Sequence, residues 1–313
     1  MPIHRYLHYD VFTDRPLEGN QLAVFPDGRG LAADTMQAIA REMNFSETTF
    51  VLPAERPDTD VRMRIFTPGA EMPMAGHPTV GTTFALAHTG SIVPARATFT
   101  FGLGVGPTLV ELEWTPSGEL AFVWMTQQRP EFGGMCDDPG GLAAALGLPA
   151  AALELAGLPA QAVSCGVPFL LVPVATRAAV DQITLDIRAL RSLLAREGLG
   201  ELPVFAFSLE RGPDAATAYS RMLAPGLGVE EDPATGSASG PLGAYLVQHR
   251  VIAGAEARRI VCRQGVKMQR PSRISVAIDG EAGAIRRVRV GGTAVLIGHG
   301  EIWLQAQLPA SGP

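Results

Sequence analysis

Two stretches of this chain set an acid shortly before a glycine that opens a small, uncharged segment. Glu71 leads to Gly76-His77-Pro78, and Glu231-Asp232 lead to Gly236-Ser237. Carboxyl and imidazole groups move protons when they are held beside a reacting bond. The free N–H groups at a helix start carry partial positive charge and hold carboxylate or phosphate. Two such starts facing one another would grip a small anionic ligand. Gly76, Gly236 and Ser237 are therefore the substrate-binding candidates, and His77 and Ser237 are read as the side chains that cap the two helices. The plainer alternative is that each cap serves only its own helix.

The two stretches are copies. Arg64-Ile65-Phe66-Thr67-Pro68-Gly69 matches Arg221-Met222-Leu223-Ala224-Pro225-Gly226, at an offset of 157 (225 − 68). The glycine of Gly76-His77 matches that of Gly236-Ser237, at an offset of 160 (236 − 76). Glu71 aligns with Glu231, which makes that pair structural in character. Asp232 aligns with Met72, and an acid present in one copy only suits a specialised site. Glu47 behaves the same way, because the second copy reads Pro203-Val204-Phe205 at the corresponding point. Taken alone, Glu47 has the setting of a surface glutamate.

The positioning elements follow from the same repeat. His77 to Ala87 carries no formal charge beyond His77, and Gly236 to Gln248 carries none. A helix without a polar face is buried on all sides. In a β-rich chain this means a sheet curled around each helix, with Gly81, Gly240 and Gly243 admitting strands closely. The fold class is α+β: two pseudo-symmetric lobes, each a curled mixed sheet around a central buried helix. The N-terminal lobe is placed at 1–130 and the C-terminal lobe at 131–313, with the last strand free to return to the first lobe. Pro130 to Gly134 reads as the linker, and Asp138-Pro139 as a helix start. Tyr6 to Phe12 and Leu22 to Phe25 read as strands joined at Gly19-Asn20. Asp34 reads as the N-cap of a helix ending at Met43, and Leu185 to Glu197 as a further helix. Ala294 to Ile297 and Ile302 to Gln305 read as two closing strands.

Bulk properties narrow the function classes. The 313 residues are 47% hydrophobic, enough for a sizeable core in each half. The net charge of −6 argues against nucleic acid as a partner. The three cysteines, Cys136, Cys165 and Cys262, form no Cys-x-x-Cys pair and have no histidine at metal-ligand spacing. No metal site is expected, and a reducing cytoplasmic setting fits. The first residues lack the apolar run of a signal peptide. The most apolar stretch, Val163 to Val174, is short and broken by Pro168 and Pro173, so no membrane span is expected. Gly102 and Gly104 lack the strand–helix setting of a dinucleotide loop.

Several blocks, in order along nearly the whole chain, carry a family resemblance. They are Asp10-Val11-Phe12-Thr13, Gly19-Asn20, Asn44-Phe45-Ser46-Glu47-Thr48, Ala75-Gly76-His77-Pro78-Thr79, Glu231-Asp232-Pro233-Ala234-Thr235-Gly236-Ser237 and Gln264-Gly265. Together they resemble the phenazine-biosynthesis PhzF-like isomerases. The resemblance implies a diaminopimelate-epimerase-like fold and a cofactor-independent isomerase acting on a small amino- or hydroxy-carboxylic acid. It implies Glu47 as the proton shuttle, and His77 and Asp232 beside it as catalytic side chains. Ser237 and the helix-start amides at Gly76 and Gly236 would hold the substrate carboxylate. It also implies a homodimer, and a reaction of the kind that converts a dihydro-hydroxyanthranilate to an amino ketone. Related epimerases use one cysteine per lobe; here neither Gly76 nor Gly236 has a neighbouring cysteine, which disfavours two-thiol chemistry. A different isomerase or epimerase on the same fold, and a non-catalytic binder of small acids, are the alternatives.

Overall fold

Runs of alternating and β-branched residues, cut by glycine and proline turns, make most of this chain β-structure. The computed structural model describes residues 2–154, 157–225 and 229–304. The first half runs β1 (Ile3–Val11), β2 (Asn20–Phe25), α1 (Ala33–Met43), β3 (Glu47–Pro53), β4 (Val61–Phe66), β5 (Glu71–Met72), α2 (Gly76–His88), β6 (Thr98–Leu103), β7 (Gly106–Trp114) and β8 (Leu120–Gln127). The second half opens with β9 (Glu131–Met135), α3 (Pro139–Ala145), α4 (Ala151–Glu154), β10 (Gln161–Ser164), β11 (Pro168–Pro173), α5 (Arg177–Gln182) and α6 (Ile187–Arg196). It continues through β12 (Val204–Ser208), β13 (Ala218–Ala224), β14 (Val229–Asp232), α7 (Gly236–Gln248), β15 (Ile260–Gln264), β16 (Ser272–Asp279), β17 (Arg287–Gly292) and β18 (Ala294–Trp303). Among the described residues, all 18 strands belong to one mixed sheet.

Strand pairing repeats between the halves. β1–β2 is antiparallel, as is β10–β11. β2–β3 and β11–β12 are parallel. β4 and β6 pair in parallel, as do β13 and β15, and each crossover carries one uncharged helix, α2 or α7. The copies exchange strands reciprocally. β9 follows the first half but pairs with β10, and β18 follows the second half but pairs with β1. β8 and β17 then pair with each other, Met125 opposite Val290.

The uncharged helices sit inside. Every residue of α2 from Gly76 to Leu86 is buried, and α7 is buried from Gly236 to Val247 except at Ser237. Glycine permits this closeness: a Cβ at Gly81 would stand 2.6 Å from Leu22 Cδ2, and one at Gly243 would stand 2.6 Å from Val276 Cγ1. One continuous apolar core contains residues of both helices, including Val80, Phe84, Leu242 and Tyr245, so the halves share their interior. Smaller cores lie between α3, α6 and β11–β13, and beneath α1.

The duplicated hairpins have a physical basis. Arg64 donates to Glu71 through Nε (2.7 Å) and Nη2 (2.6 Å), and Arg221 donates to Glu231 through Nε (2.9 Å) and Nη2 (2.8 Å). The aligned glutamates thus clamp their own hairpins. Gly226, part of the repeat, lies outside the described residues, as does Gln305.

Several expectations change. Pro130 to Gly134, read as linker, falls largely in strand β9 (Glu131–Met135), which β10 holds, with Gly133 packed on Ala162. α1 begins after Ala32, so Asp34 lies in its first turn and caps nothing. The two closing strands are one: Gly298, His299 and Gly300 pair with His8, Leu7 and Tyr6, and the register irregularity at His8/Tyr9 falls at Ile297. Asp138 does cap α3, accepting from Gly141 N at 2.7 Å. Among the described residues, no helix is long and apolar enough to cross a membrane.

Candidate active site

Chain ends of several elements converge where the halves meet. Asn20 opens β2, Glu47 opens β3, Asp232 closes β14, and Gly76 and Gly236 open α2 and α7. Asn44 ends α1 with φ 51°, and this left-handed turn delivers Ser46 and Glu47 to the start of β3. Asp232 stands across from Met222 in its hairpin, as Met72 stands across from Ile65 in the other, so the acid and its apolar counterpart share a register position.

His77 and Ser237 are not caps. The N-cap residues are Ala75 and Thr235, neither with a side-chain cap bond, and the two glycines are the first helical residues. His77 and Ser237 therefore ride one position further in, with their side chains released from capping. The helix starts also meet directly rather than across an open cleft: a Cβ on Gly76 would lie 3.4 Å from Gly236 Cα and 3.5 Å from Ser237 N. The two backbones are thus in van der Waals reach of each other. Gln127 of β8 donates to Gly236 O at 2.9 Å, tying the α7 start to the first half.

Around this contact His77, Asp232 and Asn20 are buried, and Glu47 is mostly so. Glu47 Oε2 lies 3.1 Å from His77 Nε2, with side chains 17% and 5% exposed. The distance suits a hydrogen bond but the alignment does not, and among the described residues neither atom has a hydrogen-bond partner. Burial, and then the charge of Asp232, push the Glu47 carboxyl well above the usual carboxylate range. Burial pushes the His77 imidazole down to about 3, so it is neutral at ordinary pH. Asp232 is also raised by burial, but hydrogen bonds from Thr235, Asn20 and Ser46 pull it back toward the charged form. Asn20 Nδ2 donates to Asp232 Oδ1 at 2.8 Å and to Ala234 O at 3.2 Å, and lies 3.3 Å from His77 Nδ1. Of two buried acids that repel each other, the one with donors keeps the charge and the one without keeps the proton.

Asn20 is itself held from the other half. Gly19, at φ 67°, makes a turn that a side chain would obstruct, and its N–H donates to Pro271 O at 3.1 Å. Arg270 binds Gly19 O (2.9 Å), Glu18 O (2.8 Å) and Asp10 Oδ1 (2.5 Å). All six sequence-derived site residues thus gather at one seam. Asn20, Ser46, Thr235 and Gln264 join them; each lay in a recognised block, which was the only signal for them.

The sequence profile described as "Phenazine biosynthesis-like protein" (PhzC-PhzF) matches residues 9–300. The chain belongs to the phenazine biosynthesis-like family. Within that family, it is 36% identical over 303 residues to the trans-2,3-dihydro-3-hydroxyanthranilate isomerase of Pseudomonas aeruginosa, covering 96% of this chain and 100% of the relative. An uncharacterized isomerase of Mesorhizobium japonicum is also 36% identical, with coverage of 97% and 100%. The Bacillus anthracis phenazine biosynthesis protein of the PhzF family superposes with a TM-score of 0.86 at 29% identity, covering 97% and 100%. A hydroxyproline epimerase from Agrobacterium vitis shares the fold at a TM-score of 0.63 and 15% identity, covering 97% and 94%. This phenazine biosynthesis-like protein is an isomerase with an epimerase-like α+β fold.

Proposed function

We propose that the enzyme moves a proton between two carbons of a small cyclic amino- or hydroxy-carboxylic acid, with Glu47 as the acid–base group and no cofactor. One observation carries this reading: a buried carboxyl without a hydrogen-bond partner, set beside a neutral imidazole and a hydrogen-bonded carboxylate, where two helix starts meet. The substrate carboxylate is held by the amides at Gly76 and Gly236 and by Ser237, where helix dipoles favour negative charge. Asp232 accepts from the substrate's amino or hydroxyl group. His77, being neutral, meets a hydroxyl or enol oxygen as a hydrogen-bonding partner.

Starting protonated, Glu47 gives its proton to one carbon and, once ionised, takes one from the other, so it ends the cycle in its starting state. Its raised pKa makes it a stronger base, once ionised, than a solvated glutamate. The name of the Pseudomonas relatives supports a substrate of the dihydro-hydroxyanthranilate kind.

The test is turnover of trans-2,3-dihydro-3-hydroxyanthranilate in heavy water by the wild type and by Glu47→Gln. We expect the wild type to isomerise the compound and the variant to be slower by about 10²- to 10⁴-fold. Turnover by Glu47→Gln at the wild-type rate would remove Glu47 from the mechanism. Asp232→Asn is expected to raise KM as well as lower kcat.

A further inference from the structure

Gln264 closes β15 with its side chain fully buried, at a distance in sequence from the residues it serves. Its amide makes three directed hydrogen bonds. Oε1 accepts from Thr235 N at 3.0 Å, and Nε2 donates to Asp232 O at 2.7 Å and to Thr235 Oγ1 at 2.9 Å. An amide nitrogen only donates. The Thr235 hydroxyl, having accepted from it, must send its own proton elsewhere, and it donates to Asp232 Oδ2. Asn20 Nδ2, equally a pure donor, takes Oδ1. Both carboxylate oxygens of Asp232 are thereby met by donors whose direction is fixed.

We propose that Gln264 is a positioning residue: by orienting the Thr235 hydroxyl it holds Asp232 as the ionised member of the acid pair and leaves the proton on Glu47. The inference rests on the acid–base reading of this site and adds to it an assignment of which carboxyl carries the proton in the resting enzyme. The titratable groups acting on Asp232 are Glu47 on β3, His77 on α2 across Asn20, and Glu231 beside it on β14, whose charge Arg221 balances. None of these is altered by changing Gln264 or Thr235.

The test is a carbon NMR titration of protein labelled at the aspartate carboxyl, with the Asp232 signal assigned by its loss in Asp232→Asn. Four proteins are compared: wild type, Gln264→Met, Thr235→Val and Thr235→Ser. We expect the Asp232 midpoint to rise by about one pH unit or more in Gln264→Met and Thr235→Val, because a donor to the charged form is lost or misdirected. Thr235→Ser keeps the hydroxyl and should titrate as the wild type does.

A wild-type midpoint in Thr235→Val, or an equal shift in Thr235→Ser, overturns the proposal. Should Gln264→Met not fold, the valine and serine variants decide alone. The readout needs no turnover, so the two readings fail separately. A wild-type enzyme that neither isomerises nor exchanges deuterium refutes the proposed reaction and leaves this assignment standing. An unmoved titration does the reverse.

Discussion

His77 is buried and neutral, and this makes the protein sensitive to acid in a definite window. Its pKa is about 3 in the folded chain, against 6.5 for the free group. Between those values the unfolded chain binds more protons, so stability falls as pH drops from 6.5 toward 3. The full cost is on the order of 5 kcal/mol, from about 1.4 kcal/mol per unit. His77→Gln should lose less stability across that window than the wild type, as read by urea unfolding at a series of pH values. Equal slopes would show that the imidazole is not held neutral. Glu47 acts with the opposite sign: its raised pKa means the folded chain binds more protons above 4.5, so stability falls as pH rises. Glu47→Gln should accordingly be more stable than the wild type at neutral pH, even as it loses activity. Glu47 and Asp232 were legible because the repeat supplies each with a non-acidic counterpart. Asn20 carried no such contrast: its partner Asp232 lies 212 positions away, and nothing local marks an amide that will be buried.

At the scale of elements, two related hairpins carry the same arginine–glutamate clamp in different surroundings. Arg221 and Glu231 are 9% and 15% exposed, whereas Arg64 and Glu71 are 17% and 40% exposed. Arg221 also donates through Nη1 to the carbonyls of Val180 (3.1 Å) and Ile183 (3.0 Å), closing the end of α5. Arg221→Met should cost about 3–5 kcal/mol, because it strands a buried carboxylate and those carbonyls. Arg64→Met should cost less than about 1 kcal/mol, as expected of an exposed pair. Chemical denaturation of both variants checks the contrast, and similar losses would contradict it. The structural character of the aligned glutamates and the two uncharged helices were readable from the repeat and local pattern, but the arginine partners of those glutamates were not. β9 was not. Its five residues are mostly exposed and include Gly133 and Gly134, and only pairing with β10 makes them a strand. The helices were readable, but their caps were not: Ala75 and Thr235, two positions before His77 and Ser237, hold the N-cap positions.

At the scale of the molecule, each half completes its sheet with a strand that follows the other half. A chain cut in the 128–130 connection should therefore yield pieces that do not fold alone. The first piece lacks β18, which flanks β1, and also lacks β17, which flanks β8. The second lacks β8, the partner of β17. Separate pieces should show poorly dispersed NMR spectra, and mixing them should restore a native spectrum. Cooperative unfolding of the first piece alone would show that its sheet needs no borrowed strand. The two-lobed plan was legible from the repeat, but the exchange was not, since strand order depends on contacts between distant ends of the chain.

The crossings between the halves are very short: residues 128–130 in one direction and Thr293 alone in the other. The halves are laced together and have no slack tether about which to swing. Any motion of one half against the other must therefore be carried by strands that the halves share, and the stiffness of paired β-structure sets how far the seam beside Glu47 can open.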